Sequence, residues 1–247
     1  MKTVKLFWTG GYDFTYRLIE LSFCKVIIQP FYLCNERLSE SLELEAMHKI
    51  RSAVIANKAC KATIAEPIIV PTDAKKHYDD ITEAFERLSR KDFFGTQYEW
   101  LAAFARDNPG VEISTHNKIT VLIEKYGELI SLHDADTGVY YAVDKNKSSK
   151  DINILFGNYS FPISKRTKLD MKSDYIKWGY KDVMGMTWFC YNPKGGKPCG
   201  LCNPCMYAIQ EGMKERLPPA AKIRYSLKRL YLFLYKIKTF LLSKIKK

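Results

Sequence analysis

At 247 residues, with 47% hydrophobic and 27% charged side chains, the chain has the composition of a globular protein and the length to bury a sizeable core. No apolar run approaches the roughly 18 residues a membrane span requires, and the opening residues reach a glycine turn before a secretory hydrophobic region can develop, so a cytoplasmic protein is expected. The formal charge of +12 suggests a nucleic-acid binder until it is located: nine lysines and arginines and no acid lie from Leu217 to Lys247, which leaves +3 on the preceding 216 residues.

The first seventy residues alternate as an α/β protein should. VKLFW reads as a strand, DFTYRLIELS as a helix, KVIIQPFYL as a second strand, ESLELEAMHKIRSAVIANKA as an amphipathic helix and ATIAEPIIVP as a third strand. This order predicts a parallel sheet with crossover helices. DAKKHYDDITEAFERLS and TQYEWLAAFARDN follow as helices, the second closed by Asn108-Pro109. VEISTH returns to the sheet, KITVLIEKYGELISL is expected as a helix over it, and residues 134–151 as an irregular polar loop. The simplest division is a domain over 1–216 and a basic tail over 217–247.

Two places carry chemistry. Thr9-Gly10-Gly11-Tyr12-Asp13 joins the first strand to the first helix. Glycine lets the backbone approach a ligand closely and a helix start presents N–H groups, so phosphate is a natural occupant, although an ordinary strand-to-helix turn needs a glycine too. The spacing is neither a Walker loop nor a dinucleotide fingerprint. Further on, Cys199-x-x-Cys202-x-x-Cys205 forms a knuckle, and Cys190 can return to it through the Gly195-Gly196 turn. Four sulfurs make the closed tetrahedral site of structural Zn²⁺; an iron–sulfur cluster accepts the same ligands, and two disulfides do not suit a reducing compartment. Cys24, Cys34 and Cys60 read as small buried hydrophobes.

The glycine turn resembles the pyrophosphate (PP-) loop of the ATP-pyrophosphatase superfamily, Ser-Gly-Gly-x-Asp-Ser, with Thr9, Gly10, Gly11 and Asp13 matching, Phe14 in place of the second serine and Thr15 beside it. Thr187-x-x-Cys190-Tyr191 followed by Cys199-Gly200-x-Cys202-x-x-Cys205 resembles the C-terminal signature of the 7-cyano-7-deazaguanine synthases, which also open on that loop. Between them, Lys168-x-Asp170 is similar to that family's Lys-x-acid helix, its other reading being a solvated helix lysine.

The resemblance covers about residues 4 to 212 and implies an adenine-nucleotide alpha-hydrolase-like fold. It further implies ATP and Mg²⁺ held at Thr9, Gly10, Gly11, Asp13 and Thr15, with Asp13 and Lys168 catalytic. The activity it implies is adenylation of a carboxylate for attack by ammonia or an amine, in queuosine biosynthesis. Two other readings stand beside it: a nucleotide-binding protein without turnover, and a tRNA-modifying enzyme. Where the synthases carry Pro-Gly-Arg-Asn this chain has Gly95-Thr96-Gln97-Tyr98-Glu99-Trp100, whose Gln97, Tyr98 and Glu99 either line a different pocket or pack the core.

In the tail, Ile223, Leu227, Leu230, Leu234, Ile237, Leu241 and Ile245 recur at steps of three and four after Pro218-Pro219, flanked by lysines and arginines. Such a helix suits an anionic membrane surface, a protein partner, a second copy of the chain as a homodimer, or packing on its own domain; its apolar stripe fits a nucleic-acid arm less well.

Overall fold

The computed structural model describes residues 1–114 and 118–230. The later positions of the tail stripe, Leu234, Ile237, Leu241 and Ile245, lie outside the described residues, as does the end of VEISTH. The described residues form two compact units: 1–36 with 43–188, and 37–42 with 189–230.

Along the chain come β1 (Thr3–Phe7), α1 (Tyr12–Ser22), β2 (Ile27–Leu33), α2 (Glu40–Ala56), β3 (Thr63–Ile64) and β4 (Ile68–Val70). It continues with α3 (Asp79–Ser89), α4 (Gln97–Asp107), β5 (Val111–Glu112), α5 (Lys118–Tyr126), β6 (Leu129–Asp134) and β7 (Gly138–Val143). The last elements of the first unit are α6 (Lys150–Phe156), β8 (Tyr159–Ser160), α7 (Lys168–Lys177) and α8 (Lys181–Gly185). The strands pair in the order β3-β2-β1-β5-β8, every ladder parallel, with β4 also on β2. The α/β fold with a parallel sheet is therefore as expected.

The single third strand is in fact two. Pro67 has no N–H to give the ladder, so pairing stops after Ile28↔Ile64 and resumes at Phe31↔Ile68. Two further expectations fail. The helix expected over KITVLIEKYGELISL ends at Tyr126, and Leu129–Asp134 instead pairs antiparallel with Gly138–Val143, so a hairpin occupies part of the expected polar loop. The loop's end is α6, whose N-cap Ser149 accepts from the Ile152 N–H.

Both faces of the sheet are covered, as a parallel sheet requires. On one face Phe7, Phe31, Val111 and Ile113 join the cluster made with Ala84 and Leu88 of α3, Tyr98 and Ala102 of α4 and Phe156 of α6. On the other, Trp8 donates through Nε1 to Thr15 of α1 at 3.1 Å. Beside it Arg17 of α1 makes a two-pronged ion pair with Glu112 of β5, Nε to Oε2 at 2.8 Å and Nη2 to Oε1 at 2.7 Å, with both side chains almost wholly buried.

In the second unit α9 (Asn203–Gln210) follows the cysteine turn, and residues 219–230 form a further helix. Among the described residues no helix is long and apolar enough to cross a membrane.

Candidate functional site

The glycine turn lies where the sheet reverses its order of winding. The chain runs outward from β1 through β2 to β3, then returns to place β5 on the other side of β1. In open α/β sheets such a switch point leaves a crevice at the carboxyl ends of the two central strands, where ligands bind.

Gly10 opens the turn at φ +66°, and a Cβ there would stand 3.0 Å from the Glu43 carbonyl and 3.2 Å from Met47 of α2. Both the positive φ and the close approach of α2 demand glycine. Its carbonyl accepts from the Trp188 N–H at 2.9 Å, which ties the far end of this unit to the turn. Gly11 is the N-cap of α1, and no side chain caps that helix start. Backbone N–H groups at such an end suit an anion.

Asp13, in the first turn of α1, forms an ion pair with Lys168, the first residue of α7. The Lys168 ammonium also lies 4.8 Å from the centre of the Tyr12 ring. Two residues chosen separately from the sequence are thus brought together at the start of α1. Asp170 is engaged elsewhere: it closes a capping box with Thr167, accepting from its N–H at 2.9 Å while the Thr167 hydroxyl accepts from the Asp170 N–H at 3.1 Å.

Thr15 and Phe14 face inward. Thr15 is fully buried with its hydroxyl against the Trp8 indole, and Phe14 packs against the hydrophobic cluster on the sheet's other face. Neither side chain is presented at the turn in the way a phosphate-binding hydroxyl would be. Ser114, not singled out from the sequence, lies two residues past Glu112, beyond the end of β5. It is 1% exposed and its hydroxyl has no hydrogen-bond partner among the described residues.

The Gln97–Trp100 segment divides. Tyr98 packs in the core, while Glu99 and Trp100 line a cavity of about 200 Å³ with Lys75, Tyr78 and Thr82. Glu99 accepts from the Thr82 hydroxyl at 2.5 Å, and the Lys75 ammonium lies 4.2 Å from the Trp100 ring centre.

In the second unit the four cysteines converge. The sulfurs of Cys190, Cys199, Cys202 and Cys205 all lie within 4.8 Å of one another. Three separations are 3.9 Å (Cys199–Cys205), 3.8 Å (Cys190–Cys202) and 3.5 Å (Cys202–Cys205). A tetrahedron with metal–sulfur bonds of about 2.3 Å has edges of about 3.8 Å, so the residues fit Zn²⁺.

The Gly195-Gly196 turn closes a bridge between Lys194 and Lys197 and returns the chain from Cys190. Backbone N–H groups point at the sulfurs, from Cys199 to Cys190 at 3.2 Å and from Leu201 and Cys202 to Cys199 at 3.3 Å each, an arrangement that favours thiolates. Protons divide unequally over the cluster. A hydrogen bond from Cys205 pulls the Cys202 thiol down, while burial pushes Cys190 up and the bond to Cys202 pushes Cys205 up. Sulfurs this close need a cation before all can ionise. None of the seven cysteines is in a disulfide.

No protein-family model and no curated protein matches the chain.

Proposed function

We propose that the chain is an ATP-dependent adenylating enzyme. It would activate a carboxylate, 7-carboxy-7-deazaguanine or a related acid, for attack by ammonia or an amine. The observation that carries this reading is the glycine turn at the sheet's switch point, opening an uncapped helix beside the Asp13–Lys168 pair.

A carboxylate is a poor electrophile, and transfer of AMP makes it reactive once the charge on departing pyrophosphate is balanced. ATP with Mg²⁺ would supply the AMP and the leaving pyrophosphate. The N–H groups of the turn and the start of α1 balance negative charge with fixed dipoles. Lys168 adds a full positive charge at the same helix start, and Asp13 is the carboxylate there that suits Mg²⁺ or its waters. The pair stores both charges in balance, so parting them costs little when each meets an opposite charge. Zn²⁺ on the four cysteines has no open position and would hold its turn rather than activate water.

A second reading is favoured by Phe14 and Thr15. With both side chains turned inward, the turn offers fewer hydroxyls to phosphate than the resemblance implies, which suits a nucleotide-binding protein without turnover. ATP–pyrophosphate exchange on zinc-loaded protein, scanned across carboxylate candidates with Asp13→Ala as control, separates the two. Exchange dependent on one acid and on Asp13 supports the enzyme. ATP binding without exchange for any acid supports the second reading.

A further inference from the structure

The helix over 219–230 lies on the cysteine turn. Arg224 donates through Nε to the Cys199 carbonyl at 2.8 Å and through Nη2 to that of Pro198 at 3.4 Å, and Lys228 donates to the Leu201 carbonyl at 3.2 Å. Gly200, at φ +78°, lets the helix come so close that a Cβ there would stand 2.1 Å from the Ala221 carbonyl oxygen. Two cations of the tail are thus engaged by the loop that carries Cys199 and Cys202.

This attachment decides which face looks outward. Ile223, Leu227 and Leu230 are 60%, 60% and 53% exposed, and their spacing of four and three makes one stripe. Lys222 and Arg229 fall on one flank of it, Arg224 and Lys228 on the other, each roughly 90 to 140° from its centre at about 100° per residue.

The charge pattern selects among occupants. From Leu217 onward the sequence has nine cations and no acid, so a second copy would set like charge against like. A nucleic acid would satisfy the cations but leave the isoleucine and leucines in water. An anionic lipid surface satisfies both, with apolar side chains in the acyl boundary and the cations not held by the cysteine turn, Lys222 and Arg229 among them, at the headgroups. We infer that this face is a docking surface for an anionic membrane, presented outward by the cysteine turn.

The test is sedimentation of zinc-loaded full-length protein with vesicles of phosphatidylcholine containing phosphatidylglycerol, and with vesicles of phosphatidylcholine alone. Partition onto the anionic vesicles is expected, weakening with salt. Replacing Ile223, Leu227 and Leu230 together by serine should lower it about tenfold or more while zinc content is retained. Gly200→Ala, which keeps all four thiols but sets a methyl group against the Ala221 carbonyl, should also weaken it. The inference is overturned by no partition onto anionic vesicles, by equal partition of the triple variant, or by a stripe that serves only RNA or a protein. Unchanged partition of Gly200→Ala overturns the role given to the cysteine turn.

Discussion

Lys168 and Asp13 stand 155 residues apart in sequence and form an ion pair between the first turns of α7 and α1, with side chains 15% and 21% exposed. A lysine as the first residue of a helix opposes the helix dipole, whereas an aspartate in a first turn is favoured by it. The carboxylate across the gap offsets the unfavourable placement of Lys168. Replacing Lys168 by Met, or Asp13 by Asn, should each cost about 1 kcal/mol in urea unfolding, with the double variant less destabilised than the sum. Additive losses would show that the two side chains do not depend on each other. In the exchange reaction either single change should lower the rate by about 100-fold or more.

Arg17 and Glu112 are a different kind of pair. Both are almost fully buried, and Arg17 also donates to Glu20 at 2.6 Å. Glu112→Gln should destabilise the protein by about 3 kcal/mol, because it leaves the buried guanidinium only the part-exposed Glu20 carboxylate as its counter-charge. Arg17→Met with Glu112→Leu should recover most of that loss. A double variant as unstable as the single one would mean that the pair contributes more than it costs to bury.

Lys2 and Asp134 tie the first strand to the β6–β7 hairpin, and the hydrogen bond from Lys2 holds the Asp134 carboxyl down at about 2 against an ordinary 3.8. A depressed carboxyl pKa contributes stability that is present above the unfolded value and lost as pH falls through the folded one. This contribution should therefore fade between about pH 4 and pH 2. Lys2→Met should raise the Asp134 midpoint, read by NMR titration of that carboxyl. A midpoint unmoved by the change would assign the shift to the Thr137 and Asp136 contacts instead.

The cysteine cluster should bind one Zn²⁺ per chain by elemental analysis, and a chelator should lower the unfolding temperature. Because the ligands bind as thiolates, acid should release the metal by proton competition, and zinc content followed against pH should fall as pH falls. Cys202→Ser should lose most of the zinc; full retention would move the site elsewhere.

Phe14 tests the turn from the other side. Its ring packs on the hydrophobic cluster, so Phe14→Ser should cost about 2 kcal/mol in chemical unfolding. With the inward ring removed, exchange should rise only if the first turn of α1 can reorient to bring the new hydroxyl to the phosphate. No gain in a folded variant would favour the protein without turnover.

Local pattern made the strand–helix alternation, the glycine turn and the four cysteines legible, because each is written in adjacent residues or short spacings. What escaped depends on distance. The β6–β7 hairpin was hidden by an apolar run that continues across Gly127, and its period changes from helix to strand only after that glycine. Arg17–Glu112 and Trp8–Thr15 follow from which strand lies beside β1, which no local pattern states. The bond from the Trp8 indole to the Thr15 hydroxyl likewise depends on how α1 packs on the sheet, which the loop pattern around Phe14 does not state.

The most direct test of the account is equilibrium binding of ATP with Mg²⁺ to zinc-loaded protein, compared between the natural chain and Gly10→Ala, with circular dichroism to establish that both are folded. The account predicts binding by the natural chain and its loss in Gly10→Ala, because an added methyl group would press on the Glu43 carbonyl and force the turn out of its left-handed conformation. Equal binding by both, or none by either, would contradict the placement of a nucleotide at the switch point between β1 and β5.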